Sequence, residues 1–170
     1  MDIGLLLLRL TVGLTLAAHG TQKLFGWFGG PGLDAIGQFF ETLGFLPGRR
    51  HALLAGLVET VGGFFLALGF LTPAAAAAAF GVMLVAGVSV HSKHGFFITS
   101  GGCEYTLVTG VTGLAVAFTG SGSLSLDALL GYSASGAYWG VAAFGVGLVA
   151  GVIQLTRRQA QQGDPVKNHV

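Results

Sequence analysis

Apolar residues in this chain run on for about 20 positions at a time instead of alternating with polar ones, and they do so five times. A bilayer's hydrocarbon core is about 30 Å thick and a helix rises about 1.5 Å per residue, so runs of that length are expected to cross it. The expected spans are 3–23, 52–71, 73–92, 102–120 and 137–155. Only Leu71-Thr72-Pro73 separates the second from the third, with proline at a first helical position that needs no N–H donor, which predicts an antiparallel hairpin. The fourth run opens with Glu104 and is rich in Gly and Thr, so it is expected to need burial among the others. Before the second span, Leu33, Ile36, Phe39, Phe40, Leu43 and Leu46 recur at three- and four-residue spacing while Asp34, Gln38 and Glu41 project elsewhere. That pattern predicts an amphipathic helix over 33–46 lying in the membrane interface and ended by Pro47-Gly48. The fold class is therefore all-α, an integral membrane helical bundle: one membrane domain over 1–156 and a polar cytoplasmic tail over 157–170.

Composition agrees. Of 170 residues, 52% are hydrophobic and 9% charged, against roughly a quarter charged in a water-soluble domain. The formal charge of +1 says nothing about nucleic acid, and no basic stripe with interleaved aromatics suggests one, so no nucleic acid partner is expected. One cysteine, Cys103, excludes an internal disulfide and a multi-thiolate metal or cluster site. Met1-Asp2-Ile3-Gly4 lacks a basic n-region, so the first run reads as a retained helix. Five spans put Lys23, Arg49, Arg50, Lys93, Arg157, Arg158 and Lys167 on one face and no Lys or Arg on the other, which predicts an outside N-terminus and a cytoplasmic C-terminus. Trp27-Phe28, Phe96-Phe97 and Tyr138-Trp139 sit where interfacial rings are expected. Gly136, Gly140, Ala143, Gly147 and Gly151 form a small-residue stripe, as do Ala55, Gly56, Gly62 and Gly63. Such stripes permit close helix approach, within a chain or between copies in a homo-oligomer.

Ionisable residues inside a span are costly and normally face the bundle interior with a partner. Arg9 and Glu59 are two of these, with His19 nearer an end. Measured inward from Lys23 and His51, Glu59 is expected near the midplane with Arg9 one side chain's reach away. One reading is a buried Arg9–Glu59 ion pair that registers the first two helices; the other is a proton-accepting carboxylate beside a redox or ligand cavity, and the two are compatible. His19, Gln22 and Lys23 share a helical face at i, i+3 and i+4, and Cys103-Glu104-Tyr105 opens the fourth span at the same end. His91 and His94 form a two-ligand spacing that Glu104 or His19 could complete for a metal, but interfacial hydrogen bonding is the favoured role for both. A bis-histidine haem from His19 and His91 is disfavoured, since nothing marks a macrocycle pocket. Gly26-Trp27-Phe28-Gly29-Gly30-Pro31-Gly32 lacks the strand and the Lys-Ser/Thr of a phosphate loop, and reads as an interfacial turn.

The run His19-Gly20-Thr21-Gln22-Lys23-Leu24-Phe25-Gly26-Trp27-Phe28-Gly29-Gly30, then Glu59 with Gly62-Gly63 and the Leu68-Gly69-Phe70-Leu71-Thr72-Pro73 turn, resembles the DoxX family of small bacterial membrane proteins, over about residues 4–120. The resemblance implies a bacterial cell-membrane location and a four-helix membrane core, from which a fifth span departs. It also implies a role as an oxidoreductase or as a subunit of respiratory or thiol-handling membrane complexes, a thiosulfate:quinone oxidoreductase among them; one member anchors redox-defence enzymes. It points to His19, Gln22, Lys23 and Glu59, of which the depth argument reaches His19 and Glu59 separately.

Three functions follow as expectations. The first is a quinone-linked redox subunit in which Glu59 and His19 act on the head group, with Gln22, Lys23, Arg9, Glu104 and Tyr105 helping to hold it; a quinone needs a greasy cleft, polar donors and a proton path but no protein-bound metal. The second is a non-catalytic anchor for a soluble redox enzyme. The third is a small-molecule or proton transporter, ranked last because no duplicated halves or paired broken helices are visible.

Overall fold

The computed structural model describes residues 2–159, all helix and connecting turns without a strand among them. Helix α1 is Asp2–Phe25, α2 Gly32–Thr42, α3 Gly48–Leu68, α4 Thr72–Ala86, α5 Glu104–Thr119, α6 Leu126–Leu129 and α7 Ala137–Thr156. Helix α4 continues through a π turn, Gly87–His91, and a tight turn, Ser92–His94. Four segments are long and apolar enough to cross a membrane: Asp2–Phe25, Gly48–Leu68, Thr72–His94 and Ala137–Thr156. The remaining expected span, 102–120, is α5, a helix of 16 residues. It still joins the two ends of the bundle, because Ser123 just beyond it donates its N–H to Asp2 at the start of α1 (3.1 Å). Most of the expected tail, residues 160–170, lies outside the described residues.

The interfacial helix ends earlier than its apolar spacing suggests. It stops at Thr42 because the chain turns at Gly44, whose φ of +89° suits a residue without Cβ. Phe45 then folds inward and Gly48 opens α3 instead of ending α2. Arg49 bonds Asp34 (2.9 Å) and the Gly48 N–H donates to Glu41 (3.1 Å), so the polar face of α2 is tied to the first turn of α3.

Helices α1 and α3 pack antiparallel at glycines. A Cβ on Gly13 would lie 2.5 Å from backbone atoms of Gly63 and Ala67, and one on Gly20 would meet Thr60 and Gly56 as closely as 2.3 Å. Without a hydrophobic effect between helices in lipid, such backbone contact is what van der Waals attraction requires. The alanine run supplies the same service to α4, which packs against α3, α5 and α7. Ala75 and Ala79 join a core with Leu16, Leu66, Met83 and Val116, while Ala76 and Ala77 join another with Ala117 and Ala143. The small-residue stripe of α7 is occupied within the chain: Gly140 abuts Phe118, Gly147 abuts Ala77 and Phe80, and Gly151 abuts Leu84.

Candidate functional site

The glycine contacts set the register of α1 against α3, and the register decides which charges meet. With Gly20 beside Gly56 and Thr60, and Gly13 beside Gly63 and Ala67, Glu59 is level with His19, and Arg9 is level with Gly69. Arg9 and Glu59 are thus about 15 Å apart along the helices, ten residues at about 1.5 Å each. The expected Arg9–Glu59 pair does not form. The expectation took Lys23 and His51 as level, whereas α1 runs on to Phe25 and α3 begins at Gly48, which carries Lys23 deeper past α3.

Lys23 pairs with Glu59 instead. The Glu59 side chain is 2% exposed and that of Lys23 21%, so the carboxylate is sealed while the ammonium keeps one side open. A long, flexible lysine can bring its charge inward from the end of a span, which a residue placed by depth alone does not reveal. His19 lies beside Gln22 and Lys23 on α1, and its ring stands 5.1 Å from the ring of Tyr105 on α5. The Tyr105 hydroxyl is buried, with Thr109 beside it and Glu59 within electrostatic reach, but makes no hydrogen bond of good geometry to a described residue. The Thr60 hydroxyl, next along the chain from Glu59, is likewise buried and has no hydrogen-bond partner among the described residues. His19, Lys23, Glu59 and Tyr105 therefore form one polar cluster drawn from three helices.

Other expected site residues go elsewhere. Gln22 reaches toward the Phe28 carbonyl (3.5 Å) and braces the turn after α1. Glu104 accepts the Ile98 N–H (2.9 Å), holding the loop before α5. His91 bonds the Gly101 carbonyl (2.7 Å) and His94 the Val90 carbonyl (3.0 Å), so each is engaged by nearby backbone. Among the described residues no three His, Cys, Asp or Glu side chains gather as a metal site would need. Cys103 borders an almost wholly apolar cleft of about 250 Å³ between α4 and α5, along with Gly87, Thr106 and Gly110; Thr106 follows Tyr105 in the chain.

Arg9 belongs to a second polar centre at the opposite end. It is 0% exposed, roofed by the 121–136 loop, and donates to the Leu124 carbonyl. Asp127 supplies the nearby negative charge. This residue was missed from the sequence: it is buried, accepts the N–H groups of Leu71 (2.7 Å) and Thr72 (2.9 Å), and so closes the α3–α4 turn. Its signal was available, since Asp127 is the lone charge in residues 121–136.

Comparison with known proteins agrees with this architecture. A Bacillus subtilis (strain 168) protein described as "Putative oxidoreductase CatD" is 29% identical over 126 residues, 74% of this chain and 86% of that protein. No solved structure matches the chain. Residues 4–92, just over half of the chain, match the DoxX family and hold α1 to α4, with the Lys23–Glu59 pair and the glycine contacts that position it. This multi-pass membrane protein belongs to the DoxX family.

Proposed function

We propose that the chain is a quinone- or quinol-interacting subunit of a membrane oxidoreductase system, with the head group at the His19–Lys23–Glu59–Tyr105 cluster. The observation that carries this reading is the Tyr105 hydroxyl, a donor and acceptor buried beside an ion pair and, among the described residues, without a hydrogen bond of good geometry. A buried polar group normally has one, and its loss costs about 1–3 kcal/mol. A head-group oxygen would satisfy it, and the partly exposed Lys23 side chain offers a second donor. Fit extends to charge. When electrons pass between a quinol and a redox partner of the system, protons must leave or join the ring oxygens. Glu59 can hold one such proton, Lys23 compensates the carboxylate when it is charged, and His19 offers a ring nitrogen for relay on the α1 side. The apolar cleft beside Thr106 is suited to an isoprenoid tail. The likeness to a protein named as an oxidoreductase supports redox chemistry at the coarser level.

Purified full-length protein tests the reading. Organic extraction should recover a quinone, and quinol oxidation in detergent with an artificial acceptor should fall at least about 100-fold in Glu59→Gln, the scale of a lost proton-transfer group. Tyr105→Phe should weaken binding of a water-soluble quinone analogue about 5- to 10-fold, one hydrogen bond's worth, while the fold survives. Absence of quinone and of redox activity, together with a co-purifying soluble oxidoreductase, would overturn the proposal in favour of an anchor.

A further inference from the structure

A second cavity, of about 330 Å³, lies where α3 begins and α7 ends, lined by Leu46, Pro47, Arg50, His51, Leu54 and Arg157. It is remote in character from the apolar cleft, since Arg50, His51 and Arg157 are among its lining residues. Of the four arginines at this end, Arg49 bonds Asp34 and Arg158 donates to the Leu43 carbonyl. Arg50 and Arg157 line the cavity without an ion pair among the described residues. The floor is held rigidly: the Gln154 amide donates to His51 Nδ1 (2.6 Å), joining α7 to α3, and that bond leaves the other ring nitrogen of His51 as an N–H donor. Phe45 supports the same ring at 5.4 Å between centroids. The other half of the rim is apolar, with Leu46 47% and Leu54 46% exposed.

We infer that this cavity holds the phosphate of an anionic membrane phospholipid. Two guanidinium groups without carboxylate partners among the described residues match phosphate oxygens through paired N–H donors, and the start of α3 adds the positive end of a helix dipole. Phosphate chemistry alone would equally suit a free anion. Position and rim select the lipid: the cavity joins the ends of two membrane-crossing helices, where head groups lie, and its exposed leucines offer acyl chains a surface that a free anion does not use. The site is independent of the quinone reading, because it shares no residue with the Lys23–Glu59 cluster.

Native mass spectrometry of the full chain, released from nanodiscs of phosphatidylglycerol and phosphatidylcholine in equal parts, reads the preference directly. Wild-type protein should retain phosphatidylglycerol over phosphatidylcholine. Arg50→Gln with Arg157→Gln should reduce that preference about 30-fold, the effect of two interfacial arginines. Arg50→Lys with Arg157→Lys should recover part of it, and Arg49→Gln, which removes a charge outside the cavity, should leave it unchanged. Addition of inorganic phosphate should not displace the lipid. The inference fails if the double glutamine variant keeps the wild-type preference, if wild type shows none, or if inorganic phosphate competes as well as the lipid does.

Discussion

Tyr105 and Asp127 are both buried polar side chains, yet they stand in opposite situations. Asp127 accepts two backbone N–H groups and lies near the Arg9 charge, whereas the Tyr105 hydroxyl makes no hydrogen bond of good geometry among the described residues. Replacing each should therefore act in opposite directions on stability. Asp127→Ala exposes two orphaned donors and leaves Arg9 uncompensated, at an expected cost of about 3–5 kcal/mol, measured by unfolding in a denaturing detergent series. Arg9→Met in the same background should recover part of the loss, since it removes the buried charge that Asp127→Ala leaves uncompensated. Tyr105→Phe should leave stability level or raise it, because the group removed makes no hydrogen bond of good geometry among the described residues. A drop comparable to that of Asp127→Ala would show that Tyr105 is structural, and the quinone reading would lose its support.

At the scale of the element, glycine position matters more than glycine number. The chain has 30 glycines, but they divide sharply by what a Cβ would meet. Gly63 faces backbone of Gly13 and Ala17 at 2.5 Å, and Gly13 returns the contact, whereas Gly145 on α7 has nothing within 4 Å. Gly63→Val should force α1 from α3 and cost at least about 3 kcal/mol, at the upper end for an overpacked interior. Gly145→Ala should stay within about 1 kcal/mol of neutral, with helix propensity in its favour. Thermal unfolding of the two variants in one detergent checks the contrast. Gly63→Val should also break the Lys23–Glu59 pair, because both charges meet only in the present register.

Across the whole molecule, polar function is concentrated at one end of the bundle. The ends of α1, α4 and α7 and the starts of α3 and α5 share a face with six of the seven described Lys and Arg residues, all but Arg9. Basic loops stay in the cytoplasm, so a C-terminal alkaline phosphatase fusion is expected to be inactive and a C-terminal green fluorescent fusion to be fluorescent; the reverse pair would overturn that orientation. The proposed quinone site and the proposed lipid site would then both open toward the inner leaflet.

Much of this was legible along the chain. Spans, hairpin and interfacial helix depend on hydropathy and period, which each residue contributes where it stands, so a bilayer's thickness converts them to helices without knowledge of neighbours. That His19 and Glu59 would need polar company could also be read, because an ionisable group in lipid demands a partner wherever it lies. Which partner it finds could not. Pairing depends on how far one helix slides along another, and that offset comes from backbone contacts at Gly13, Gly20 and Gly63 whose mates lie about 40 or more residues away in the chain. Tertiary packing alone thus gave Glu59 to Lys23 and set Arg9 near Asp127, turned the α7 stripe inward, and brought Arg50 and Arg157 to one cavity. Membrane embedding is a sum over single residues and is written locally, whereas the meeting of charges is a property of register and exists only once the helices have packed.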